Sequence, residues 1–201
     1  MCIRDSSSGI YSVFLEGNTT YDFYPEPILG FTSNPNSISV TTSFPPQVYS
    51  NQNFGFCPEP DFHNLSIELS PYGPPRPGFD NEYQIKIVNN GSQTESGMVT
   101  FSFENNTADG LISFVDTDGG TVNGNALEWN FSNLGVFQCL IYNIRINLIP
   151  TTSLGIIFYP SSDVNIGNGV IDNDLADNSS TFEEEVVGSF DPNDKLSLIH
   201  I

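Results

Sequence analysis

Positive charge is what this 201-residue chain has least of: Lys and Arg number 5 against 24 Asp and Glu, a formal net charge of −19. Phosphate backbones and anionic lipid are bound by Lys and Arg neutralising negative charge, so nucleic acid and membrane surfaces are poor partners. Long apolar runs are missing as well. None approaches the roughly 18 residues that a membrane-crossing helix needs, which argues against insertion by helices. Cysteine occurs 3 times, with no Cys-x-x-Cys spacing and no Cys/His cluster, so the chain reads as neither a disulfide scaffold nor a metal centre. No Gly-x-Ser-x-Gly or His-Glu-x-x-His pattern stands with His63, so a hydrolytic triad or zinc site lacks its parts. His63 reads as an ordinary surface residue, and the chain as no enzyme.

The two ends differ in style from everything between them. MCIRDS at 1–6 and LSLIHI at 196–201 read as translated sequencing-adapter artefacts of an environmental assembly and are set aside from fold reasoning. With them go Cys2, Arg4, Asp5 and His200, which leaves 4 basic against 23 acidic residues and the balance still at −19. The rest, 7–195, reads as a piece of a longer protein. Cys57 and Cys139 remain, read as independent thiols, with a single bridge between segments still open in an oxidising compartment.

What the chain has in abundance is alternation. Hydrophobic residues make up 38% and aromatics 12%, too many for disorder, and they recur with a period of two and never at helical spacing. The reading is all-β. In 7–57, IYSVFLE, TYDFY, SISVTT and QNFGF are short candidate strands between Asn, Gly and Pro turns, too few for a comfortable core. FCPEPDFHN then interrupts the pattern, and its prolines make 58–62 a stiff linker. From 63 to 190 about eight strands follow. Their inward sets are Leu65/Ile67/Leu69, Tyr83/Ile85/Ile87, Val99/Phe101/Phe103, LISFV, Leu127/Trp129/Phe131, Leu140 to Leu148 by twos, GIIFY and TFEEEVV. Trp129 belongs to the core by that alternation. The spacing predicts an immunoglobulin-like antiparallel β-sandwich preceded by a truncated smaller β-sandwich segment.

Three motifs carry a family resemblance: RPGF at 76–79, LEWNFSNLGVF at 127–137 and VVGSFDPNDK at 186–195. Together they resemble the conserved-repeat, immunoglobulin-like modules, related to the bacterial cell-adhesion-related domain, of surface proteins exported by the type IX route. GIYSVFLEGNTTYDF and NQNFGF are similar to the tail of a Cna-B-like or carboxypeptidase-regulatory-like module. The resemblance implies stalk or spacer modules with no catalytic residues. The motifs also have a local logic. Pro77 and Gly78 make a turn expected to send Phe79 into the core. In DPND, Asp191 and Pro192 make a turn out of the domain, so that 191–195 is a connection to a following module, with Phe190 tucked under the domain end.

One long stretch suggests a metal, and DTDGG at 116–120 is a smaller acidic turn of the same sort. SSDVNIGNGVIDNDLADNSS at 161–180 offers Asp163, Asn165, Asp172, Asp174 and Asp177, hard oxygen donors of the kind calcium takes, although its glycine falls one residue late for an EF-hand. Asp172, Asp174 and Asp177 are the expected calcium ligands, and no cofactor is required. The expected function is a non-catalytic extracellular spacer or adhesion-associated module of a large secreted bacterial surface protein, in company with neighbouring domains of its chain. The alternatives are an accessory domain of a secreted hydrolase, or a module that binds a surface glycan or protein through Tyr21, Phe23 and Tyr24.

Overall fold

The computed structural model describes residues 11–45, 47–104 and 107–188, and these fall into two compact units that divide between Glu59 and Pro60. Both are built of antiparallel strands, numbered here in chain order.

In the first unit β1 (Thr20–Phe23) pairs with β3 (Ile38–Thr41), and β2 (Phe31–Asn34) pairs with β4 (Gly55–Pro58). Thr42 closes the first pair, its hydroxyl donating to the Glu16 carbonyl at 2.6 Å and accepting from the Thr19 amide at 3.1 Å. The alternation of Tyr11 to Glu16 predicts a strand, yet these residues form none; a strand needs a neighbouring ladder, and Phe14 stands fully in solvent. The strand expected at QNFGF starts later, at Gly55, and β2 was not foreseen.

The second unit is a sandwich of two sheets. The strands of the first, in sheet order, are β14 (Ser179–Thr181), β13 (Pro160–Ile166), β7 (Glu95–Phe103), β10 (Ala126–Leu134) and β9 (Thr121–Asn123). The second consists of β5 (Leu65–Pro71), β6 (Asp80–Asn89), β11 (Cys139–Leu148) and β8 (Ile112–Asp116). A short pair, β12 (Ile157–Phe158) with β15 (Glu184–Glu185), completes it. Alternate residues of both sheets meet in one core: Leu65, Ile85, Ile87, Ile146 and Leu148 from one face, Val99, Phe101 and Leu127 from the other, all without solvent exposure. Tyr83, Phe101, Phe103 and Phe158 form a chain of tilted and edge-on rings 5.3–5.6 Å apart. Trp129 lies in the core at 4% exposure, stacked on Tyr142 at 4.9 Å, with its indole N–H donating to the Thr117 carbonyl at 3.0 Å. Gly120 makes room for it, since a Cβ there would sit 2.6 Å from the indole.

Two expectations are corrected. The polar stretch that opens the presumed calcium loop is strand β13, held between β7 and β14, so Asp163 and Asn165 belong to a sheet. A serine hid it, for Ser162, opposite Phe101, is fully buried where alternation predicts an apolar side chain. Phe79 does not enter the core but is 54% exposed. The turn positions it outside because Gly78 (φ 78°) reverses the chain and gives its N–H to Leu148. Asn81 fills the inward place, accepting from the Arg76 amide and donating to the Phe79 carbonyl. The exit motif from Ser189 onward, with Phe190, Asp191 and Pro192, lies outside the described residues.

Candidate functional site

The acidic loop is a clasp on the strand that opens the sandwich. Asp172, 7% exposed, accepts through Oδ2 from the Leu65 amide at 2.8 Å and from Asn178 Nδ2 at 2.9 Å, and through Oδ1 from the Asp174 amide at 2.9 Å. The Asn173 amide donates to the His63 carbonyl, and the His63 amide donates to Asn173 Oδ1, both at 2.8 Å. Asp174 caps the 3₁₀ turn Leu175–Asp177 by accepting from the Ala176 amide. Asp177 stands apart from these bonds. Burial, then the nearby Asp174 and Asp172 charges, push its carboxyl above the usual carboxylate range, and its covered Oδ1 has no hydrogen-bond partner. The three expected calcium ligands are therefore neighbours, with Asp172 already occupied by protein donors. Among the described residues no group of three or more His, Cys, Asp or Glu side chains is arranged to hold a metal ion.

Two buried acids were not legible from the sequence. Glu95, at the start of β7, is 3% exposed and meets Nδ1 of His63 at 2.6 Å, so His63 is a partly covered ion-pair or hydrogen-bond partner and not the surface residue expected. Glu184 on β15 is 8% exposed; its Oε1 accepts from the hydroxyl of buried Tyr83, while its Oε2 is covered and unpartnered. Burial raises its carboxyl to about 7, against the lowering effect of the Tyr83 hydrogen bond, and pushes the Tyr83 phenol upward in turn. Pairs separated by 32 and 101 residues leave no local signal.

The outer face of the β5–β6–β11–β8 sheet holds a recess of about 370 Å³ lined by Tyr72, Glu82, Asp116, Asn143, Ile144 and Arg145. The register makes rows of these residues. Tyr72 continues β5 by donating its N–H to Glu82, Glu82 stands opposite Arg145, and Arg145 stands opposite Asp116. In the next row Gln84 faces Asn143, and Gln84 Nε2 donates to both Asn143 Oδ1 at 3.0 Å and the Tyr72 hydroxyl at 2.9 Å. Arg145 lies 3.5 Å from Asp80. In the first unit Tyr24 is 72% exposed, while Tyr21 and Phe23 are half-covered. Cys57 and Cys139 are both free and exposed.

Fold and sites define the class: an all-β chain whose larger part is an immunoglobulin-like sandwich. No protein family matches it, and no curated protein does. Among solved structures it is similar to a CARDB domain of Pyrococcus furiosus solved in complex with di-metal ions (18% identity over 64% of this chain and 97% of that one, TM-score 0.45). It is also similar to a cohesin module of a Clostridium perfringens family 33 glycoside hydrolase (16%, 64% and 98%, TM-score 0.38). A third likeness is to the collagen binding domain of the Erysipelothrix rhusiopathiae surface protein RspB (12%, 88% and 61%, TM-score 0.35).

Proposed function

We propose that the chain is a non-catalytic extracellular module that serves as a spacer or adhesion-associated segment of a large secreted bacterial surface protein. The observation that carries this reading is that the sandwich is fastened where the chain enters it and where it leaves. At the first end Asp172, Asn173 and Asn178 tie the loop to His63 and Leu65. At the other, Val186 and Val187 donate their N–H groups to Ile156 and Pro75, and Gly155 donates to Val186. Tension along a string of modules acts at those two places. The type IX export route, the conserved-repeat relationship, the Cna-B-like front segment and the calcium role of Asp172, Asp174 and Asp177 belong to the same proposal. Single-molecule stretching of the chain tests it: Asp172→Ala is expected to lower the unfolding force of the larger unit, and an unchanged force would remove the support.

The second reading is a binding module. The recess around Tyr72 favours it, because an exposed aromatic ring beside a planar array of donors and acceptors is a recognition surface in composition.

A further inference from the structure

We propose that the outer face of the β5–β6–β11–β8 sheet binds a chain of neutral sugars laid across the strands, an inference that rests on the binding-module reading and names its ligand. Tyr72 is 64% exposed at one edge of the row, with its hydroxyl held by Gln84, so the ring is positioned before any ligand arrives. A pyranose presents a face of C–H bonds that stacks on such a ring. Next along the row come a carboxylate, a guanidinium and a carboxylate, Glu82, Arg145 and Asp116, with the Asn143 amide beside them. Acceptors and donors thus alternate from strand to strand at the sheet spacing of about 4.8 Å. That interval is commensurate with successive rings of an extended saccharide, whose hydroxyls both donate and accept.

The charges decide against the other classes of ligand. Arg145 lies 3.5 Å from Asp80 and stands opposite Glu82 and Asp116 in the register, so carboxylates outnumber the one cation of the row and disfavour a sulfated or uronate chain. The −19 field of the molecule repels polyanions as well. A cationic peptide would set its charge beside Arg145 in the middle of the row and compete for Asp80, whereas an uncharged polyol leaves the Arg145–Asp80 pair in place. The aromatic residues singled out in the sequence, Tyr21, Phe23 and Tyr24, lie in the first unit and take no part in this row.

The full chain is to be titrated calorimetrically with neutral β-linked gluco-, xylo- and manno-oligosaccharides and with uronate oligosaccharides, at low and high salt. Binding is expected for a neutral series, with affinity independent of salt. Tyr72→Ala is expected to weaken it at least about tenfold, Asn143→Ala less so, and Tyr24→Ala not at all. Tyr72 is exposed, so its loss leaves the core intact, and an unchanged Trp129 emission spectrum checks this. Preference for uronates, or affinity that falls with salt, overturns the choice of ligand. Binding abolished by Tyr24→Ala but not by Tyr72→Ala overturns the site while the binding-module reading stands. No binding to any saccharide overturns the proposal of a sugar ligand and of this site for it, and leaves the binding-module reading with a protein ligand only.

Discussion

The two units carry the same kind of alternating sequence and end with different interiors. Among the described residues, the second buries 20 hydrophobic side chains in a single cluster, whereas in the first Val40 is the one buried hydrophobic, with Thr42 as its buried polar companion. Alternation makes a strand amphipathic, but a core needs two such faces opposed. Among the described residues the second unit has nine strands in two stacked sheets, whereas the first has two separate two-stranded pairs. Two-stranded pairs are marginal in water. The lesson is that pattern specifies elements, and the number of elements within reach specifies an interior.

The comparison breaks most visibly in the cores. Phe101 has no exposure and touches both Tyr83 and Phe103, so Phe101→Ala is expected to cost about 3–5 kcal/mol. Val40→Ala, at the thin interior, is expected to cost about 1 kcal/mol. Trp129 is the one tryptophan and lies in the second unit, so its fluorescence during denaturation reports that unit alone. The Phe101 variant should shift that transition and the Val40 variant should leave it in place. A shift of the tryptophan transition by Val40→Ala would mean that the two units unfold as one.

A second difference is pH dependence. Glu184 is a buried carboxyl whose folded value is about 7 against an ordinary 4.5. The folded state therefore holds a proton that the unfolded chain has released, and the stabilisation is fully present below pH 4.5 and is lost as pH rises through 7. The difference corresponds to an upper limit of about 3 kcal/mol. Glu184→Gln keeps an acceptor for Tyr83 and cannot ionise. It is expected to match the parent near pH 4.5 and exceed its stability at pH 8, with the excess appearing between those values. Parallel curves for the two proteins across this range would show that Glu184 titrates normally. Tyr83→Phe should destabilise more at pH 8 than at pH 4.5, because the hydroxyl then leaves a charged carboxylate without its donor.

The strands of the sandwich were largely readable because their inward residues are apolar and spaced by two, as in Leu65/Ile67/Leu69 and Ile144/Ile146/Leu148. Strand β13 escaped because its buried Ser162 carries no hydrophobic signal, and Phe79 misled because a hydrophobic residue beside a turn need not have a core within reach. Asp172, Asp174 and Asp177 could be singled out as a cluster, but their division of labour could not. That Asp172 clasps Leu65 depends on a contact across 107 residues. Tyr72 carried no sequence signal either, since its neighbours in the recess come from three other strands.

The smallest expected effect concerns calcium, and it too separates the units, because the acidic loop belongs to the second. A ligand that binds the native state alone stabilises it by RT ln(1 + [L]/Kd), so a site with Kd of about 10⁻⁴ to 10⁻³ M in a few millimolar calcium contributes roughly 1–2 kcal/mol. The geometry places the expectation at the lower end. Asp172 already accepts three protein hydrogen bonds, and a cation gains chiefly by relieving Asp177, which is crowded by two other carboxylates. Calcium should therefore raise the tryptophan-monitored transition by a small margin over magnesium at equal ionic strength, the comparison that removes general screening of a −19 chain. Asp177→Asn should remove the calcium increment while itself costing little, since it takes away a repelled charge. Identical curves in calcium and magnesium, or an increment that survives Asp177→Asn together with Asp174→Asn, would leave the loop as a clasp on Leu65 and nothing more.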